Sequence, residues 1–274
     1  MYSKLAENIE KYNETDLRGY MPLGSNGEFR SLTEEESLKI VDVFTKEKAA
    51  NKTLIVGAGR ESVIATLDFI NKIADKGVDY ATLLPPHYFV GVMTDDVLIK
   101  FYTGVADKSP VPVMVYNAPK FTSGLLISAN VISALASHPN IAGIKDTSKE
   151  DISIYIKAAG NADFCVLAGT INKFYKTLLQ GGVGGVLSIA NYLPQECCQL
   201  HQIYQSGDLE KGQKMDEYMR TLSSNAAGKH GVAGVKAAMD LLGYYGGSPR
   251  LPLLPLGDKP KAELKAVLEA GGLL

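Results

Sequence analysis

The sequence predicts an α/β protein, a (β/α)8 barrel of the TIM type with a helical C-terminal extension. Three observations carry this reading. Seven short apolar runs alternate with stretches of helical period, the pattern of repeated βα units. The runs are continuous rather than alternating, as parallel strands buried on both faces are. After Asn191 the strands stop and helical periods follow one another to the end of the chain.

Taken in order, the chain opens on a helix, "MYSKLAENIEKYN", with Leu5, Ile9 and Tyr12 as its apolar stripe. The first strand candidate is "LRGYMPL" (17–23). Thr33 and Glu36 then form a T-x-x-E capping box before a helix beginning near Glu34, whose core face is Leu38, Val41 and Phe44. "TLIVGAG" (53–59) is followed by a helix with Val63, Leu67 and Ile70 on one face. "YATLLPP" (80–86) precedes a helix start marked by Thr94, Asp95 and Asp96. The remaining strand candidates are "VPVMVYN" (111–117), "IAGIKD" (141–146), "FCVLAG" (164–169) and "VGGVLSIA" (183–190). The expected division is a barrel over residues 1–190 and a helical region over 191–274.

A barrel of this kind closes with eight strands, and seven are visible. Because a helix opens the sequence, the absent strand is expected to be the first. On that reading a chain extended by about 20 to 25 residues at its N-terminus is expected to be the more stable one, since each βα unit spans roughly that length. An open, doubly wound sheet is the alternative for seven parallel strands.

Composition narrows the function classes. The 274 residues are 46% hydrophobic and 21% charged with a formal net charge of -2, and the basic residues are scattered, so a nucleic-acid partner is not expected. No apolar run reaches the roughly 18 residues that span a bilayer, and the opening helix is polar, so neither a membrane span nor export is expected. Only three cysteines occur, Cys165 and the adjacent pair Cys197 and Cys198, a usage that suits a reduced cytoplasmic protein. The four histidines lack metal-ligand spacing, so no metal is expected.

In a parallel barrel the chemistry sits at the C-terminal ends of the strands. There the sequence places Gly24, Ser25, Asn26 and Glu28 in "GSNGE", Tyr116 and Asn117 in "VYNAP", Lys145 in "GIKD", Gly169 in "LAGT", and Ser188 with Asn191 in "VLSIAN". Lys145 ends an apolar run. It is either a lysine whose stem lies in the core while its ammonium reaches water, or one whose pKa is lowered by desolvation so that its amine can attack a carbonyl. Tyr116 reads alone as a core aromatic with a bonded hydroxyl; beside an amine on the next strand it can shuttle the protons of imine formation. "GSNGE" reads as a turn or as a set of backbone N–H groups and a hydroxyl suited to a carboxylate. "GAGRES" (57–62) lacks the third glycine of a dinucleotide loop, and the glycines of "GGVGGV" (181–186) lie at the wrong end of their strand for phosphate.

From "GYMPLGSNGEFRSLTEEE" through "PVMVYNAP", "IAGIKDTS" and "GGVGGVLSIAN" to "KAAMDLLGYYGG", the chain resembles the pyruvate-dependent class I aldolases of the dihydrodipicolinate synthase and N-acetylneuraminate lyase superfamily. The resemblance implies a barrel with a helical C-terminal region, a homotetramer or homodimer, and a lysine that condenses with pyruvate or another 2-oxo acid. It makes Lys145 the Schiff-base residue, Tyr116 the catalytic tyrosine, and Ser25 with Asn26 the pair that binds the 2-oxo acid carboxylate and assists the proton relay. Gly24, Gly169, Leu187 and Ser188 would line the pyruvate pocket, and Tyr88 in "PPHYF" would reach into a neighbouring subunit's site. No cofactor is implied, because the imine is the electron sink.

Two departures bear on the substrate. Dihydrodipicolinate synthases carry Thr-Thr where this chain has Ser25-Asn26, and an arginine after the tyrosine strand where "YNAPKFTSG" has Lys120 and Phe121. "GSNGEF" and "LLGYYGG" are closer to the 4-hydroxy-2-oxoglutarate aldolase branch and to aldolases of 2-oxo-3-deoxy sugar acids. The expected function is cleavage of a 4-hydroxy-2-oxo acid. The alternatives are dihydrodipicolinate synthesis and a non-catalytic paralogue that binds 2-oxo acids.

Overall fold

The computed structural model describes residues 1–274. The chain forms two compact units, one of residues 19–23 and 53–186, the other of residues 1–18, 24–52 and 187–274.

The first unit holds all seven strands: β1 (Gly19–Tyr20), β2 (Thr53–Gly57), β3 (Tyr80–Leu83), β4 (Val113–Asn117), β5 (Ile141–Asp146), β6 (Cys165–Ala168) and β7 (Gly184–Gly185). They form one sheet in sequential order, every neighbouring pair parallel. Five helices connect them within this unit: α3 (Val63–Ala74), α4 (Asp95–Ala106), α5 (Ala129–Leu135), α6 (Ser153–Ala159) and α7 (Ile171–Leu179). This is the repeated βα pattern that the apolar runs predict, and the doubly wound order, which reverses direction within the sheet, is not adopted. β1 and β7 are the edges of the sheet, so the chain's own strands do not make the eight-stranded closure. The outermost strands are also far shorter than their apolar runs: "LRGYMPL" contributes two residues and "VGGVLSIA" another two. Each is an edge with a partner on one side only.

Small residues permit the close spacing of the sheet. Gly143 in β5 lies opposite Cys165, and a Cβ built on it would stand 2.3 Å from the Cys165 carbonyl oxygen. That obstacle is backbone and cannot rotate away. Gly143→Ala is therefore expected to cost about 1–3 kcal/mol or more by overpacking, read as a lowered midpoint in thermal or urea unfolding.

The second unit is helical. It contains α1 (Tyr2–Asn13), α2 (Glu34–Glu47), α8 (Pro194–Ser206), α9 (Leu209–Asn225), α10 (Gly231–Leu241) and α11 (Asp258–Ala270). Ile9 and Tyr12 of the α1 stripe are buried, and the Tyr12 ring stacks on Tyr244 at 4.9 Å between centroids. The Tyr12 hydroxyl donates to the Asn191 carbonyl at 2.6 Å, and Asn8 exchanges two hydrogen bonds with the Tyr245 backbone. The opening helix thus belongs with the C-terminal helices, through polar pairings that have no sequence period to announce them. Thr33 caps α2 in the expected capping box with Glu36, and in the other unit Thr94 caps α4. No helix is long and apolar enough to cross a membrane.

Candidate active site

Strand register brings Lys145 and Tyr116 together. β4 and β5 pair with Tyr116 opposite Lys145 and Asn117 opposite Asp146, and successive residues of a strand face opposite ways. Tyr116 and Lys145 therefore share one face of the sheet while Asn117 and Asp146 share the other. The Lys145 Nζ lies 4.3 Å from the centroid of the Tyr116 ring, and the residue is only 8% exposed. The lysine therefore does not reach out to water. Burial pushes its pKa below the ordinary lysine value, while the charge and hydrogen bonding of Tyr116 pull it part of the way back.

A third group completes the surroundings of the amine. Met21, just beyond β1, places its Sδ 3.4 Å from the Lys145 Nζ. A thioether is a weak acceptor, so Met21 covers the amine without adding a strong bond that would favour its charged form. The sequence contains no signal for this contact: Met21 reads there as one more apolar strand residue. On β3, Thr82 pairs with Met114, which puts it on the same face as Tyr116, and its buried hydroxyl has no partner.

The opposite face carries a polar cluster of which motif reading singles out only Asn117. Asp146 is fully buried. Its carboxylate accepts from Asn117 Nδ2 at 2.8 Å and from the Ser148 backbone N–H at 3.1 Å, and it is ion-paired with Lys173 of α7. Asn117 also donates to the Tyr155 hydroxyl at 2.9 Å and accepts from the Ile127 N–H at 3.0 Å. The available signal is the position of Asn117 and Asp146 directly after Tyr116 and Lys145, polar residues at the ends of apolar strands. Lys173, in a separate helix, has none.

The other expected residues fall as follows. In the strand unit, Gly169 follows β6 and donates its N–H to the Asp146 carbonyl at 2.7 Å; a Cβ there would stand 2.2 Å from the Thr147 methyl. Tyr88 is 79% exposed in the segment after β3, its ring edge-on to Phe89 and its N–H held by Glu61. In the helical unit, Gly24, Ser25 and Asn26 form a turn closed by the Gly27 N–H to the Gly24 carbonyl. The Asn26 amide donates to the Ser188 hydroxyl at 2.5 Å, and Leu187 is buried beside Ser188. Glu28 is occupied structurally: its carboxylate pairs with Lys236 at 2.9 Å and accepts from the Arg250 N–H at 2.7 Å. No group of three or more His, Cys, Asp or Glu side chains is placed to hold a metal ion.

Comparison with known proteins shows the family. The chain is 32% identical over 257 residues to the probable mitochondrial 4-hydroxy-2-oxoglutarate aldolase of Emericella nidulans, covering 92% of this chain and 83% of the relative. It is 30% identical over 271 residues to the 4-hydroxy-tetrahydrodipicolinate synthase of Acidiphilium cryptum, covering 97% and 92%. Its fold matches YagE, an E. coli prophage protein of the dihydrodipicolinic acid synthase family solved in complex with pyruvate, with a TM-score of 0.91, 27% identity and coverage of 100% and 93%. The model of the dihydrodipicolinate synthetase family matches residues 2–271. By that match over nearly its whole length, and by a parallel βα sheet that sets a buried lysine against a tyrosine at adjacent strand ends, this chain belongs to the dihydrodipicolinate synthetase family.

Proposed function

We propose that the protein is a Schiff-base aldolase that reversibly cleaves a 4-hydroxy-2-oxo acid to pyruvate and an aldehyde, which is glyoxylate where the acid is 4-hydroxy-2-oxoglutarate. One observation carries the reading: a buried lysine, its pKa lowered by desolvation, in register with a tyrosine whose ring lies 4.3 Å away. The family's members are pyruvate-dependent lyases and aldolases, and this pair is suited to that chemistry.

The Lys145 amine attacks the C2 carbonyl carbon, and loss of water from the carbinolamine leaves a protonated imine. Tyr116 takes the proton of the C4 hydroxyl as the C3–C4 bond breaks. The bonding pair flows into the imine to give an enamine, and the aldehyde departs. Protonation at C3 and hydrolysis then release pyruvate and regenerate the amine. The imine is the electron sink, so the sequence of steps calls on no metal or organic cofactor. The resemblance assigns the 2-oxo acid carboxylate to Ser25 and Asn26 and the pocket walls to Gly24, Gly169, Leu187 and Ser188. It assigns Tyr88 to the site of a neighbouring copy in a homotetramer or homodimer.

Among the 4-hydroxy-2-oxo acids, those of the 2-oxo-3-deoxy sugar acid type carry a single carboxylate, and the substrate branch rests on that count. Dihydrodipicolinate synthesis, the reading that the Acidiphilium relative's name favours, must orient a second carboxylate on the incoming aldehyde, a task suited to a bidentate guanidinium. The strand unit contains one arginine, Arg60. Its Nη1 donates to the Ala58 and Gly59 carbonyls at 3.1 Å each, and its guanidinium packs over the Phe69 ring at 4.1 Å. Lys120, after the tyrosine strand, offers only a point charge. Lacking a bidentate partner for a buried carboxylate costs about 2–5 kcal/mol, or roughly 30-fold to several thousand-fold in rate. The expected result is a higher kcat/KM for 4-hydroxy-2-oxo acid cleavage, followed by pyruvate release, than for condensation of pyruvate with aspartate semialdehyde. Faster consumption of the semialdehyde would place the protein in the synthase branch.

A further inference from the structure

We propose that Asn117, Asp146, Tyr155 and Lys173 form a positioning cluster that holds β4 and β5 together from behind and so sets Tyr116 against Lys145. The proposal rests on the Schiff-base reading and adds to it residues that never meet the substrate.

The argument is one of register. The two site residues are directly opposite one another, and the next residue on each strand is again an opposed pair, Asn117 and Asp146. Because the pleat turns that second pair to the opposite face, the Asn117 to Asp146 hydrogen bond at 2.8 Å ties the two strands one residue beyond the site. The tie is itself anchored. Tyr155 of α6 accepts from Asn117 and donates to the Ile127 carbonyl, both at 2.9 Å. Lys173 of α7 pairs with Asp146 and donates to the Glu150 carbonyl at 2.6 Å. Two strand ends, two helices and the segments around Ile127 and Glu150 thus converge on one buried carboxylate and one amide.

A cluster this costly to bury is out of proportion to what packing needs. A buried ion pair adds little net stability over well-packed apolar groups, whereas a site requires its reacting groups to be held within about half an ångström. The side-chain polar atoms of Asn117 and Asp146 are all bonded, to each other and to the elements that anchor them. None faces the amine.

The test uses the full-length protein with Tyr155→Phe, Lys173→Met and Lys173→Arg. Tyr155→Phe deletes one hydroxyl and keeps the ring; Lys173→Met removes the cation; Lys173→Arg restores it. With circular dichroism confirming folded protein at the assay temperature, Tyr155→Phe is expected to lower kcat about tenfold or more and to slow borohydride trapping of pyruvate, with KM within about threefold of wild type. Lys173→Met is expected to show the same split more strongly, and Lys173→Arg to recover part of it. Variants that melt earlier yet keep kcat within about twofold while folded would make the cluster merely structural and overturn the proposal. Should Lys173→Met fail to fold, Tyr155→Phe alone decides. A wild-type protein that forms no adduct with pyruvate would overturn the Schiff-base reading itself, whereas normal trapping by wild type and Tyr155→Phe alike would overturn only the positioning role.

Discussion

Lys145→Ala is expected to abolish the borohydride-stable adduct with pyruvate, and with it turnover, while leaving the sheet folded. The reason is that the lysine acts as a reagent. Its amine makes no ion pair that holds β5 in place; it lies against the Tyr116 ring and the Met21 thioether. Intact-mass measurement after reduction reads the result, and an adduct on the Lys145→Ala protein would move the Schiff base to another residue. In wild type, the pH dependence of trapping follows from the direction of the pKa shift. Burial lowers the pKa of Lys145, so the free amine appears at lower pH than for an unfolded lysine near 10.4. Trapping should rise as pH increases and level off with a midpoint below that value. The linked effect on stability has the same sign. Between the folded and unfolded pKa values the unfolded chain binds more protons, so Lys145 destabilises least at high pH, and the penalty returns as pH falls through the folded pKa. A midpoint at or above 10.4 would show that the ammonium is solvated.

Tyr116→Phe is expected to keep slow imine formation but to lose turnover by about 100-fold or more, the scale of removing a positioned acid–base group. The change removes an oxygen and conserves the ring that lies against Lys145, so packing and burial of the amine stay close to native. The informative comparison is therefore between steps. Single-turnover trapping with pyruvate reports formation of the imine, and steady-state release of pyruvate from a 4-hydroxy-2-oxo acid reports the whole cycle. A Tyr116→Phe protein that turns over like wild type would reduce Tyr116 to a core aromatic. One that neither traps nor turns over would put its hydroxyl in imine formation as well as in bond cleavage.

Much of this protein was determined by local rules acting on the chain. Seven apolar runs became seven parallel strands in chain order because each is too continuous to leave either face in water. Thr33 and Thr94 started helices because their hydroxyls accept from backbone N–H groups that the first turn cannot satisfy. Lys145 and Tyr116 were legible as site candidates because a chargeable or polar residue at the end of a buried strand requires an explanation. Tertiary structure alone decided the rest. The register of β4 against β5 put Lys145 on the same face as Tyr116, and a one-residue slip would have turned one of them away. Met21 reached the amine from the segment after β1, and Lys173 reached Asp146 from α7, contacts between residues far apart in sequence that no period marks. The desolvation that lowers the pKa of Lys145 is likewise a property of everything packed around it, so the residue's identity is written in the sequence and its reactivity arises only in the fold.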